Sequence, residues 1–287
     1  MKISSELKKN ADAIKNCIKS QDIIYYNGKS GSVDYCVVYV DSVTDKNQVG
    51  LLLLSPLNNN PSHTAANCEN VLNIPNIALI DDMNKAVKEL LGGKTLVFFQ
   101  GGKHALACDF LSYQTRAVAE PPTSVVVKGP REGFTECLKT NIGLLRRRIK
   151  VSDLTIENTT LGKYSQSAVA VCYIGSIVDH EIVKEVKRRL KLIDIDGIPD
   201  SSYIGKLIVE HKTSIFKQVG TTEKPDILSE KMLEGRVGII VDGSPIVITV
   251  PYMLTEDFQS SEDYFVNNYR ANMERGLRLF SLLFAIL

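Results

Sequence analysis

The chain has 287 residues, of which 44% are hydrophobic and 23% are charged, and these fractions are typical of a folded globular protein and exclude a disordered one. Its 34 basic and 33 acidic side chains leave a formal net charge of +1, which argues against a dedicated nucleic-acid-binding role, since such proteins carry a clear positive excess. The length exceeds what one hydrophobic core usually supports, so two lobes are expected.

Apolar residues spaced three and four positions apart predict helices in both halves of the chain. Acidic residues stand in front of several of them, where a carboxylate can accept hydrogen bonds from the first free backbone N–H groups. The predicted helices cover Asp82–Leu91, Thr135–Ile149, the stretch that Asp179 opens as N-cap, and Tyr203–Val209 after Asp200 or Ser201.

Two stretches of sequence look like copies of one unit. Tyr39–Asp45 aligns with Tyr173–Asp179, and Leu91–Gly101 aligns with Leu233–Gly243. In both members of the second pair, a glycine that ends a helix is followed by a basic residue, a strand, a tight turn and a return strand. The sequence therefore predicts an α/β fold of two lobes with related topology, each a mixed sheet with flanking helices, ending in a long C-terminal helix.

Prolines and composition divide the chain into three predicted regions. Pro121 and Pro122, followed by Gly129-Pro130, favour a boundary because proline fixes extended backbone and supplies no ladder donor. The predicted regions are a first lobe at 1–123, a second lobe at 124–262 and a C-terminal helix at 263–287. Residues 279–287 are apolar on all sides. That pattern fits either a buried helix or the start of a membrane helix, which needs about 20 residues.

No motif for catalysis, cofactor binding or metal binding is recognised in the sequence. Gly92-Gly93-Lys94-Thr95 resembles the end of a phosphate-binding loop, but there the helix precedes the strand, whereas the motif requires the reverse order. The four histidines lack metal-ligand spacing. We therefore predict that the protein is not an enzyme and has no catalytic, cofactor-binding or metal-binding residues.

Two basic runs end predicted helices, where cations complement the helix dipole. Such runs are either solvated helix ends or contacts with anionic lipid headgroups or a neighbouring subunit. The residues proposed for such a subunit or lipid contact are Arg146, Arg147, Arg148, Lys187, Arg188 and Arg189.

A set of short motifs runs in order from residue 129 to residue 264 and resembles the GerA family of spore germinant receptors, specifically its A subunit and the related sporulation protein. The pieces are Gly129–Glu136, Asn141-Ile142, Leu145–Ile149, Tyr173-Ile174, Arg189-Leu190, Ile195–Gly197, Glu223–Asp226, Leu233–Val237, Val241–Pro245 and Gln259–Tyr264.

The resemblance implies a cytosolic N-terminal domain followed by membrane helices, in a receptor that responds to small nutrients and triggers ion release during spore germination. It implies B and C subunits as partners, the spore inner membrane as location with this domain on the core side, and a small nutrient as candidate ligand. We also expect a homo-oligomer in the intact membrane protein. The family-motif candidates for a ligand or an interface are Arg131, Glu132, Asp242, Ser244, Pro245, Asp263 and Tyr264.

Two other functions stay open from the sequence. One is a two-lobed module that binds a solute in a cleft between apolar walls. The other is a hydrolase or transferase whose motif is not recognised. Several apolar stretches of about 20 residues beyond residue 287 would favour the receptor.

Overall fold

A computed structural model describes residues 2–59, 72, 74, 76–112, 130–210, 214, 216–254 and 256, together with single helical residues between 269 and 284. The chain divides into two compact units: unit 1 comprises residues 1–115 and 142–157, and unit 2 comprises residues 116–141 and 158–287. The predicted boundary at residue 123 lies outside the described residues, so the limits 1–123, 124–262 and 263–287 remain a prediction.

Unit 1 contains a five-stranded sheet with the order β1-β2-β4-β5-β3. Its strands are β1 Ile23–Ser30, β2 Val33–Val40, β3 Ile77–Ile80, β4 Thr95–Phe99 and β5 Ala105–Cys108. The helices are α1 Leu7–Cys17, α2 Lys46–Gln48, a π-helical turn at Val49–Leu54, α3 Ser55–Asn59 and α4 Met83–Leu91.

Unit 2 repeats this arrangement with the strand order β6-β7-β9-β10-β8. The strands are β6 Leu154–Leu161, β7 Ser167–Ile174, β8 Gly220–Thr222, β9 Val237–Val241 and β10 Val247–Val250. The helices are α5 Leu138–Arg148, α6 His180–Lys191, α7 Ser201–Leu207 and α8 Pro225–Leu233. The division between the units falls within α5 and within β6.

The two units therefore share one topology, as the internal repeat predicted. Every strand pair whose register is described is antiparallel, which corrects the prediction of mixed sheets. In each unit a helix connects two strands that run in the same direction, β3 to β4 and β8 to β9. The return strand β5 or β10 lies between those two strands, so the parallel pair is separated and only antiparallel neighbours remain.

Helices cover both faces of the first sheet, and this explains its nearly continuous apolar strands. On β2, Cys36, Val38 and Val40 pack with residues of α1 and α4. Tyr35 and Val37 point to the opposite face and pack with residues of the π-helical turn and α3. In unit 2 the face that carries Val169 and Val171 packs against α6 and α7.

Aspartates cap several of the described helices, and the sequence predicted this for Asp179 and for Asp200 or Ser201. Asp82 accepts hydrogen bonds from the backbone of Asn84 and Lys85 at the start of α4. Asp179 caps α6 and Asp200 caps α7 in the same way, so Asp200 rather than Ser201 is the cap. These caps could be read from the sequence because donor and acceptor lie within three residues.

The long helix predicted at 263–287 is not shown, because only scattered residues of that stretch, such as Met273, Leu277 and Phe280, are described. Within the part of the chain that the structure describes, no helix is both long enough and apolar enough to cross a membrane.

Candidate functional site

Of the described family-motif residues, Asp242, Ser244 and Pro245 lie at the β9–β10 turn, at one end of the second sheet, whereas Arg131 and Glu132 lie in the segment that precedes α5. The β9–β10 turn presents Asp242 and Gly243, and Gly243 has a φ of 84°, a conformation that glycine adopts without steric cost. The Asp242 Oδ1 atom accepts a hydrogen bond of 2.9 Å from the backbone N–H of Leu138, the first residue of α5. The Gly243 N–H donates to the carbonyl oxygen of Glu136 at 2.7 Å.

A buried asparagine fixes the segment that leads into α5. The Thr135 N–H donates to the Asn141 Oδ1 atom at 2.8 Å, and the Asn141 amide donates to the Thr135 carbonyl at 2.6 Å. These bonds hold Thr135 outside the helix, so the helix begins at Leu138 and not at Thr135 as the apolar spacing predicted. The side chain of Asn141 is fully buried, where unpaired amide groups would cost free energy.

Unit 1 holds its first helix by the same set of contacts. The Ser4 N–H donates to the Asn10 Oδ1 atom, and the Asn10 amide donates to the Ser4 carbonyl, again over a separation of six residues. The Gln100 Oε1 atom accepts from the N–H of Leu7, the first residue of α1. Both units therefore have the same hydrogen bonds at the start of a helix. This shared geometry favours a structural role for Asp242 over a role specific to a ligand.

Ser244 links the same turn to α7. Its side chain is buried, and the hydroxyl oxygens of Ser244 and Ser201 are 2.9 Å apart. Pro245 and Glu132 are partly buried and Arg131 is exposed. Asp263 and Tyr264 lie outside the described residues, so the structure gives them no place in this cluster.

Cys137 was not singled out from the sequence, although it directly precedes α5. The residue is exposed. Partial burial raises the pKa of the Cys137 thiol, but hydrogen bonds from the Thr140 hydroxyl and from the N–H groups of Thr140 and Lys139 outweigh burial, so the pKa lies below its ordinary value. Proximity to a helix N-terminus is the signal that could have identified it.

The structure corrects the surface prediction for Arg146. Its guanidinium is buried and donates to both carboxylate oxygens of Asp22 at 2.7 and 2.8 Å, to the Ser20 hydroxyl at 2.8 Å and to the Leu154 carbonyl at 3.1 Å. Arg146 lies on the same helix face as the buried Ile142 and Ile149, because residues three and four apart share a face. It is therefore a core residue of unit 1 and not a lipid or subunit contact. Arg147 and Arg148 are partly buried.

The second basic run forms a surface network. Arg188 donates two 2.7 Å bonds to Glu185, and Arg189 donates to Glu185 and to Glu210. Hydrogen bonds from Arg188 and then Arg189 lower the pKa of Glu185 to about 2. The ammonium of Lys187 lies 5.7 Å from the centre of the Tyr173 ring, a cation–π distance.

No group of His, Cys, Asp or Glu side chains among the described residues has the arrangement of a metal site. The motif cluster is built from hydrogen bonds that fasten a hairpin turn to a helix, and its charged members lack the paired nucleophile and base of an acyl-transfer site.

Fold and motif cluster together define a tandem-repeat α/β domain of the class found in spore germinant receptors. The structure is similar to the crystal structure of the N-terminal domain of the A subunit of the Bacillus megaterium spore germinant receptor GerK3, with a TM-score of 0.67 and 28% identity, over 88% of this chain and 98% of that one. The family described as Bacillus/Clostridium GerA spore germination protein matches residues 2–287. The chain belongs to this GerA family of spore germination proteins.

Relatives from Bacillus subtilis (strain 168) extend this comparison. Spore germination protein KA is 36% identical over 286 residues, which are 96% of this chain and 53% of that protein. Spore germination protein B1 is 33% identical over 293 residues, which are 100% of this chain and 61% of that protein. The chain thus spans about half the length of the curated relatives it matches.

Proposed function

We propose that this chain acts as the N-terminal domain of a germinant receptor A subunit, where it senses a nutrient or passes on the signal that triggers germination and ion release. The observation that carries the proposal is the family match over residues 2–287, together with the shared fold of the GerK3 A-subunit domain. Nothing in the described cluster supplies a reaction centre, so a binding or transmitting role fits its chemistry better than catalysis.

The proposed partners are B and C subunits and further copies of this protein, in the spore inner membrane, with this domain on the core side. Tethering in one membrane raises the effective concentration of the domains, so contacts too weak for free domains can form in the receptor. We expect the isolated 287-residue chain to be a monomer or to associate weakly.

The test is a gene deletion in the spore-forming host, in a strain without other receptors of this family. Spores complemented with the intact gene should germinate and release ions when a nutrient is added, and deletion spores should not. A trigger that bypasses nutrient receptors should act equally on both strains. Equal nutrient responses in the two strains would refute the proposal.

Calorimetric titration of the isolated chain with the active nutrient separates the remaining possibilities. Heat of binding supports sensing by this domain. Absence of binding, with germination lost on deletion, supports transmission. A solute-binding module unrelated to germination would bind its solute and leave germination intact when deleted.

A further inference from the structure

Comparison of the two repeats reveals a reversal of charge at one pair of equivalent positions. In unit 1, Glu89 is the seventh residue of α4, and Lys94 directly precedes β4. In unit 2, Lys231 is the seventh residue of α8, and Arg236 directly precedes β9. The backbone confirms the equivalence, because the N–H of Lys94 donates to the Glu89 carbonyl and the N–H of Arg236 donates to the Lys231 carbonyl, each at 3.0 Å.

In unit 1, Glu89 and Lys94 form an ion pair with each other. The Lys94 ammonium lies 2.9 Å from the Glu89 carboxylate, and both side chains are about one third exposed, at 33% and 31%. Such a pair is partly solvated and contributes little to stability.

The unit 2 positions cannot pair with each other, because both carry positive charge. Their shared carboxylate comes from Glu256, which lies beyond β10. The Lys231 ammonium is 2.5 Å from one oxygen of Glu256, and the Arg236 Nε atom is 3.2 Å from the other. The three side chains are only 15%, 5% and 10% exposed in the order Lys231, Arg236, Glu256, so water screens this contact far less than its unit 1 counterpart.

Additional contacts make the arrangement specific. The Lys231 ammonium also donates to the buried Thr249 hydroxyl on β10 at 3.2 Å, and Arg236 also contacts the half-exposed Glu234. Glu256 itself is held in a tight turn, since its N–H donates to the Met253 carbonyl and its Oε1 atom accepts from the Met253 N–H. The carboxylate thereby lies within ion-pair distance of both cations.

We propose that Glu256 is a latch: Lys231 and Arg236 hold the chain where it leaves β10 and couple α8 and β9 to the segment that follows residue 256. The chain continues beyond the return strand in both repeats, but unit 1 keeps a local Glu89–Lys94 pair. In unit 2 the equivalent positions carry two cations, and these contact the Glu256 carboxylate beyond β10. The signalling part of this inference rests on the proposed function.

The first experiment measures hydrogen exchange in the 287-residue chain at the amides of Tyr252, which donates to the Gln218 carbonyl, and of Glu256. Glu256→Gln and Lys231→Glu should each raise exchange at these amides about tenfold, with β9 amides unchanged. Lys231→Glu recreates the charge pattern of unit 1, so the fold should accept it. The charge swap Lys231→Glu with Glu256→Lys should return exchange towards the original rate, and Glu89→Gln is the matched control without effect at these amides.

The second experiment places the same variants in the intact receptor. Glu256→Gln and Lys231→Glu should impair the nutrient response, and the charge swap should restore it. Unchanged exchange in both single variants overturns the latch. Faster exchange with a full nutrient response overturns the coupling. If the deletion strain fails to germinate while the latch variants germinate normally, the coupling is wrong and the proposed function stands.

Discussion

Replacing Arg146 by methionine should lower the free energy of unfolding of unit 1 by about 3–5 kcal/mol. Arg146 and Asp22 are 3% and 4% exposed, so the substitution leaves a carboxylate in the core with no opposite charge. Breaking a buried ion pair from one side costs about 3–5 kcal/mol for this reason. The Leu154 carbonyl and the Ser20 hydroxyl lose a donor as well, but these losses are not additive with the first.

The assay is urea unfolding of the 287-residue chain followed by circular dichroism, with stability taken from the transition midpoint. The loss should appear in the transition of unit 1 if the two units unfold separately. Arg188→Met is the matched control, because Arg188 is 59% exposed in its pair with Glu185. That change should leave the transition midpoint nearly unchanged, because exposed ion pairs contribute little to stability.

The double variant Asp22→Asn with Arg146→Met tests the reasoning itself. Removing both charges leaves no uncompensated ion in the core, so most of the stability should return. If Arg146→Met alone costs no more than Arg188→Met, or if the double variant is as unstable as the single one, then the Asp22 carboxylate is not desolvated as the structure indicates.

Three further predictions concern α5 and the basic runs. Gly143→Ala should lower the free energy of unfolding by about 1–3 kcal/mol in urea titrations, since the new methyl group would lie 2.8 Å from a backbone carbonyl of the β2–α2 turn. Thr140→Val should slow the alkylation of Cys137 at pH 7, because the thiol loses a hydrogen bond that lowers its pKa and less thiolate is present; an unchanged rate contradicts this. Charge reversal at Arg147 or Arg188, made separately in the intact receptor, should leave the circular dichroism of the domain unchanged and impair assembly or nutrient response in at least one case. Normal germination of both variants would mean that neither Arg147 nor Arg188 makes a contact that the receptor needs for assembly or nutrient response.

Much of the architecture was readable from local sequence. The helices α4, α6 and α7 follow from apolar spacing and from aspartates that cap within three residues. The repeat was readable because Gly93 and Gly235, with φ of 99° and 91°, end equivalent helices in a conformation that favours glycine. The ordered motifs between residues 129 and 264 were enough by themselves to indicate the class of receptor.

Only the tertiary structure shows the contacts between residues that lie far apart in the chain. Arg146 looked like a surface cation at a helix end, but it pairs with Asp22, 124 residues away. Asp242 lies in a hairpin turn, as the sequence predicted, but its side chain also caps α5 from 104 residues away. The antiparallel pairing of the strands likewise depended on the positions of the return strands β5 and β10 in their sheets. Periodicity and capping act over a few residues, whereas long-range pairing depends on how the folded chain brings distant segments together, and a single sequence does not reveal that.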